Sequence, residues 1–108
     1  MPTPFALVMT TCGGKANAEL IATTLVEKRL AACVNILPGV HSIYRWQGAV
    51  EEAHEVTILI KSRRVCYAAL ESAITSLHPY DVPEIIVLPI TAGLPQYLAW
   101  LADSTKSE

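Results

Sequence analysis

Apolar residues recur along this chain with two different periods, and the switches between them mark its elements. Phe5 to Thr10 (FALVMT) is a short apolar run free of charge, the mark of a buried strand. TCGGK then breaks it: the two glycines make a turn, and Asn17 suits a helix start. From about Ala16 to Leu30, Ala18, Ile21, Ala22, Leu25 and Val26 recur at helical spacing. Lys28 and Arg29 then place cations at the helix's negative end. Residues 31–46 (AACVNILPGVHSIYRW) read as a strand rich in β-branched and aromatic residues, interrupted by Pro38-Gly39. Proline cannot donate to a strand ladder, so this pair predicts a bulge or a sheet edge. Beyond it, Val40, Ser42, Tyr44 and Trp46 alternate with His41, Ile43 and Arg45. QGAVEEA (47–53) reads as a turn region. HEVTILIKS (54–62) is the returning strand, with Val56, Ile58 and Ile60 on one face, so the two strands form an extended hairpin.

A second helix, from about Arg63 to Leu77, buries Cys66, Leu70, Ala73, Ile74 and Leu77. HPYDVPEIIVLPI (78–90) is a proline-stiffened lead into a fourth strand, and Pro89 predicts that this strand kinks or borders an edge. LPQYLAWLADS reads as a short C-terminal helix with Pro95 in its first turn, and TKSE as a frayed tail. The order β-α-β-β-α-β plus a short helix predicts an α+β, ferredoxin-like fold, without linker or repeat, as a single domain over 1–108.

Composition changes this picture in one respect. A chain of 108 residues holds one core, yet 52% of it is hydrophobic and only 17% charged, well below the usual quarter or so. That shortage of charge points to buried subunit interfaces. The eight basic residues are scattered and the net charge is −2, so no nucleic-acid footprint is present. No apolar run approaches the ~20 residues that cross a membrane. The N-terminus lacks the basic segment of a signal peptide, and Cys12, Cys33 and Cys66 are odd in number and widely spaced. Reduced thiols in a cytoplasmic protein are the expectation.

Candidate chemistry is sparse. His78 precedes Pro79, which holds its backbone extended and fixes the direction of the imidazole. Cys12 precedes GGK and a helix, a setting that can lower a thiol's pKa, but no histidine and acid join it as a catalytic group, and the P-loop spacing is absent. No enzyme is expected. His41 and His54 lie on facing hairpin strands and read as solvent-facing residues.

Four segments, AACVNILPGVHSIYRWQG (31–48), EVTILIKS (55–62), HPYDVPEIIVLPI (78–90) and YLAWL (97–101), together resemble the CutA divalent-cation-tolerance family, in order and over almost the whole chain. The resemblance implies a tight homotrimer of ferredoxin-like protomers, similar in architecture to the PII signalling proteins, whose long hairpins pair with neighbouring subunits. It implies a part in divalent-metal (copper) tolerance, with Cu2+ or another divalent cation as ligand. Some members hold copper through a first-strand cysteine and two adjacent histidines. Of these His78 is present, Leu77 stands where the second histidine would be, and Thr10 stands at the cysteine position. Cys12 lies two residues on, on the same strand face, so His78 and Cys12 are the metal candidates. Trp46, Glu55, Lys61, Tyr80 and Glu84 fall in the matching segments and are candidates for a small-ligand cleft between subunits. The alternative to the metal reading is accordingly a PII-like regulatory module. The plainer reading of the same residues is that Lys61 and Glu84 pair while Tyr80 and Trp46 pack an interface.

Overall fold

The computed structural model describes residues 3–106. Strand β1 (Phe5–Cys12) leads into helix α1 (Lys15–Glu27), then into the hairpin of β2 (Cys33–Trp46) and β3 (Ala49–Arg63). A 3-10 turn (Arg64–Cys66) opens helix α2 (Tyr67–Leu77), and β4 (Ile85–Pro89) and α3 (Pro95–Asp103) follow. The strands form one antiparallel sheet in the order β2-β3-β1-β4. This is the ferredoxin-like arrangement the sequence predicts. Both strand prolines, Pro38 in β2 and Pro89 in β4, sit on the outer strands, where a missing ladder donor is tolerated.

Alternation gives the sheet two unlike faces. Val8, Cys12, Val56, Ile58 and Ile60 point one way and close a core with Ile21 and Leu25 of α1 and Leu70 and Ile74 of α2. The opposite face carries Leu7, Met9 and Leu59, and the pairings Leu7↔Leu88 and Met9↔Ile86 bring β4 side chains beside them. Ile86 is 46% exposed and Leu88 39%.

The hairpin is longer than its sequence suggests. The register jumps between Leu37 and Val40, where Gly39 adopts φ 78°, so the bulge expected at Pro38-Gly39 is present. The turn is not QGAVEEA but Gln47-Gly48 alone, with φ 50° and 83°. Two consecutive left-handed residues give a tight turn whose twist matches the strands, so residues 49–53 are free to pair. Beyond the Cys12↔Val56 pair, β2 and β3 continue without β1, from Val40↔Glu55 to Trp46↔Ala49.

The tail also differs from expectation. Thr105 is buried, accepts a hydrogen bond from Arg63 Nε (2.7 Å) and donates to the Leu101 carbonyl (3.0 Å), while the Lys106 N–H donates to the Arg29 carbonyl (2.8 Å). TKSE is therefore pinned as far as Lys106; Ser107 and Glu108 lie outside the described residues. Helix α1 begins after Gly14 without a side-chain cap, and Asn17 instead donates from Nδ2 to the Leu77 carbonyl (3.4 Å).

Candidate functional site

His78 ends α2. Its ψ of 135° is the extended value that a following proline enforces, and its N–H still closes the helix on the Ile74 carbonyl (2.8 Å). The imidazole turns inward, leaving the residue 8% exposed. Nε2 lies 2.6 Å from the Thr11 carbonyl, and Nδ1 lies 3.2 Å from the Tyr80 N–H. A carbonyl only accepts and a backbone amide only donates, so Nε2 carries the proton and Nδ1 the used lone pair. His78 ties the 78–84 loop to the end of β1, and neither nitrogen is left for an ion.

Cys12 faces the helices within the core, and its thiol donates to the Gly14 carbonyl (3.4 Å). Burial pushes its pKa up; the Gly14 hydrogen bond opposes this and nearby Glu55 adds to it. A protonated, enclosed thiol is a poor metal ligand. The His41 and His54 rings stack at 5.0 Å, and His41 Nε2 lies within hydrogen-bonding distance of Glu52 Oε1, at 2.7 Å. Among those residues no group of three or more His, Cys, Asp and Glu is arranged to hold a metal ion.

The structure does gather most of the cleft candidates. A cavity of about 650 Å³ opens between the hairpin and the 78–84 loop, with Tyr44, Trp46 and Tyr80 among its walls. Its carboxylates are Glu51, Glu55, Asp81 and Glu84. The hairpin side is explained by alternation: Ser42, Tyr44 and Trp46 share a face, and the register sets Glu51 opposite Tyr44. The loop side is fixed by His78 and by Tyr80, whose hydroxyl donates to Glu55 Oε2 (2.8 Å) and whose ring lies 4.6 Å from that of His78. Lys61 is not part of the cavity. It stands on β3 between Leu7 and Cys33, and no Lys61–Glu84 pair forms. Glu51 and Asp81 are wall residues the sequence did not single out. Glu51 could have been found once the turn was known to be two residues long; Asp81 comes only from the loop's path.

Burial, reinforced by the Glu55 hydrogen bond, pushes the Tyr80 phenol up to about 12. A phenol raised in the fold contributes stability that is present below its unfolded value near 10 and is lost as pH rises through the folded value. Tyr80→Phe is therefore expected to flatten the fall in stability between about pH 10 and pH 12, and to remove the last-titrating phenolate from the ultraviolet absorbance curve. Loss of a step near pH 10 instead, with the pH dependence of stability unchanged, would show that Tyr80 ionises as an ordinary phenol.

Four antiparallel strands in this order, with α1 and α2 on one face and a projecting hairpin, define the ferredoxin-like class of α+β proteins. The family model described as CutA1 divalent ion tolerance protein matches residues 6–104. The chain is 48% identical over 99 residues to the divalent-cation tolerance protein CutA of Thermus thermophilus, covering 92% of this chain and 96% of that one. It is 43% identical over 107 residues to mouse CutA, covering 99% of this chain but only 60% of the length of that relative. The crystal structure of CutA1 from the psychrotrophic bacterium Shewanella sp. SIB1, described as a stable protein, superposes with a TM-score of 0.95 at 42% identity, covering 99% of this chain and all of that one. The chain belongs to the CutA1 divalent ion tolerance family.

Proposed function

We propose that this chain serves divalent-cation tolerance as a non-enzymatic, cytoplasmic homotrimer, with copper or another divalent cation as the ion concerned. Its family membership carries the reading: bacterial relatives from Thermus and Pectobacterium bear the divalent-cation tolerance description. The apolar sheet face opposite α1 and α2 supports assembly, because Ile86 and Leu88 stand exposed beside the partly exposed Leu7, Met9 and Leu59. Copies related by symmetry cover such a face. Cys12 and His78, on which covalent or acid–base chemistry would draw, are both committed to the fold.

The test is growth of the host in rising copper and zinc. Deleting the gene should lower the concentration that halts growth, and returning the chain should restore it. Unchanged tolerance overturns the reading. His78 contributes by holding the 78–84 loop. His78→Ala is expected to cost about 2 kcal/mol through its lost hydrogen bonds, while Cu2+ affinity measured by calorimetry stays unchanged. A variant that keeps its stability but loses Cu2+ would make His78 a ligand.

The cavity favours a second reading, a PII-like regulatory module. At about 650 Å³ it lies within the range of small-molecule sites, roughly 300–1,000 Å³.

A further inference from the structure

We infer that His41 and His54, facing residues of the hairpin, hold a divalent transition-metal ion such as Zn2+ or Cu2+, with Glu52 orienting His41. For the class of ion the inference rests on the tolerance reading above, and it gives that ion a place which Cys12 and His78 do not supply. The bulge at Pro38-Gly39 makes the pair. Before it Leu37 faces Thr57, and after it Val40 faces Glu55. Had the first register continued, His41 would face Ala53, on the other side of the sheet from His54. The extra residue in β2 re-aims His41 to the side of His54. By alternation that side is shared with Val56 and Ile58, the face that carries α1 and α2, and is opposite the apolar face proposed for assembly. The pair stands beyond the last β1 pairing, Cys12↔Val56, and both residues are exposed.

The chemistry of the donors selects the ion. Imidazole nitrogen suits Zn2+ and Cu2+, whereas Mg2+ prefers oxygen ligands. The Glu52 carboxylate accepts from His41 Nε2 (2.7 Å), which places the proton of the neutral ring there and leaves the Nδ1 lone pair unspent. A carboxylate behind a histidine is the usual partner of a metal-bound imidazole, because it fixes the tautomer and raises the ring's basicity. The His54 ring makes no hydrogen bond among the described residues, so its lone pair is also unspent. The two ring centres lie 5.0 Å apart, with planes 24° from parallel. Two nitrogens, each about 2.0–2.1 Å from a shared ion, stand roughly 3.3 Å apart in a tetrahedral site. Rotation about the side-chain bonds closes that gap without moving the strands, since both rings are exposed. Glu52 sits behind His41 rather than at the ion, and water fills the remaining positions; accordingly no three protein ligands converge among the described residues.

The test is calorimetric titration of the assembled, metal-free protein with Zn2+, Cu2+ and Mg2+, beside paramagnetic-resonance spectra of the Cu2+ form. Zn2+ and Cu2+ should each bind at one ion per chain, Cu2+ the more tightly, and Mg2+ should not bind. The Cu2+ spectrum should show coupling to nitrogen. His41→Gln and His54→Gln, singly or together, should remove this binding, and Glu52→Gln should weaken it about tenfold. All three side chains are exposed, so the variants should fold and assemble, which circular dichroism and light scattering check. No binding to the intact protein, a Cu2+ spectrum without nitrogen coupling, or binding unmoved in the double histidine variant would each overturn the inference. Metal held at this pair without a growth phenotype on gene deletion would remove only the tolerance reading. Tolerance restored in full by the double variant, with its metal binding intact, would remove only this site.

Discussion

Ile86→Glu combined with Leu88→Glu converts the proposed trimer into a folded species of 11.7 kDa in light scattering. Both side chains stand on the uncovered sheet face, and both are already more than one-third exposed in a lone protomer, so a carboxylate there stays hydrated while the chains are apart. Assembly removes that water. Covering each apolar side chain is worth about 1.5–3 kcal/mol, and putting a charge in its place forfeits that gain and adds a desolvation cost. Symmetry repeats the damage in every subunit. Far-ultraviolet circular dichroism should keep its helical and strand signal, while the thermal midpoint falls by tens of degrees, at roughly 4–8 °C per kcal/mol for a domain of this size. A double variant that still scatters at three times the chain mass would mean that some other surface holds the subunits together.

Ile58→Ala should be the most damaging single truncation inside the protomer. Ile58 is fully buried at the middle of β3, between Thr10 of β1 and Ile36 of β2, on the face that meets the helices. Removing three carbons from a site walled by sheet on both sides leaves a cavity that cannot collapse, at a cost of about 2–5 kcal/mol. Leu20→Ala makes the same kind of truncation on the outer side of α1, where the side chain is 53% exposed, and should stay within about 0.5 kcal/mol. Urea unfolding at one fixed protein concentration measures both. Equal shifts would mean that the core placed between sheet and helices is not where the stability resides.

The elements were legible because periodicity survives in a single sequence. The βαββαβ order, the bulge at Pro38-Gly39 and the first-turn Pro95 all follow from local residue chemistry, and each is present. The turn was misread because Ala49 to Ala53, rich in alanine and glutamate, lacks the residues that favour strands; what places it in a strand is the left-handed pair Gln47-Gly48 one step before. The pinned tail depends on Arg63, forty-two residues away from Thr105, and no local pattern announces it. The same limit governs the cleft. Trp46, Glu55, Tyr80 and Glu84 were singled out by their segments, but the Tyr80–Glu55 bond joins residues 25 apart, and the exclusion of Lys61 follows only from the path of the loop. His78 drew notice as the one fixed imidazole; that both its nitrogens are spent emerges only with Thr11 and the Tyr80 amide in place.

The free length of hairpin beyond Val56 bears on how the molecule is made. Residues 40–46 and 49–55 pair only with each other, and an isolated two-stranded ribbon is barely stable in water. Within the proposed trimer, each ribbon therefore acquires its order from neighbours, and the final phase of refolding quickens as the protein is concentrated. Tyr44, Trp46 and Glu51 ride on that ribbon, whereas Tyr80, Asp81 and Glu84 belong to the body of the protomer. On that proposal a newly synthesised subunit carries one fixed wall of the cavity and one unfixed, and the cavity takes its final shape only when the subunit ceases to be alone.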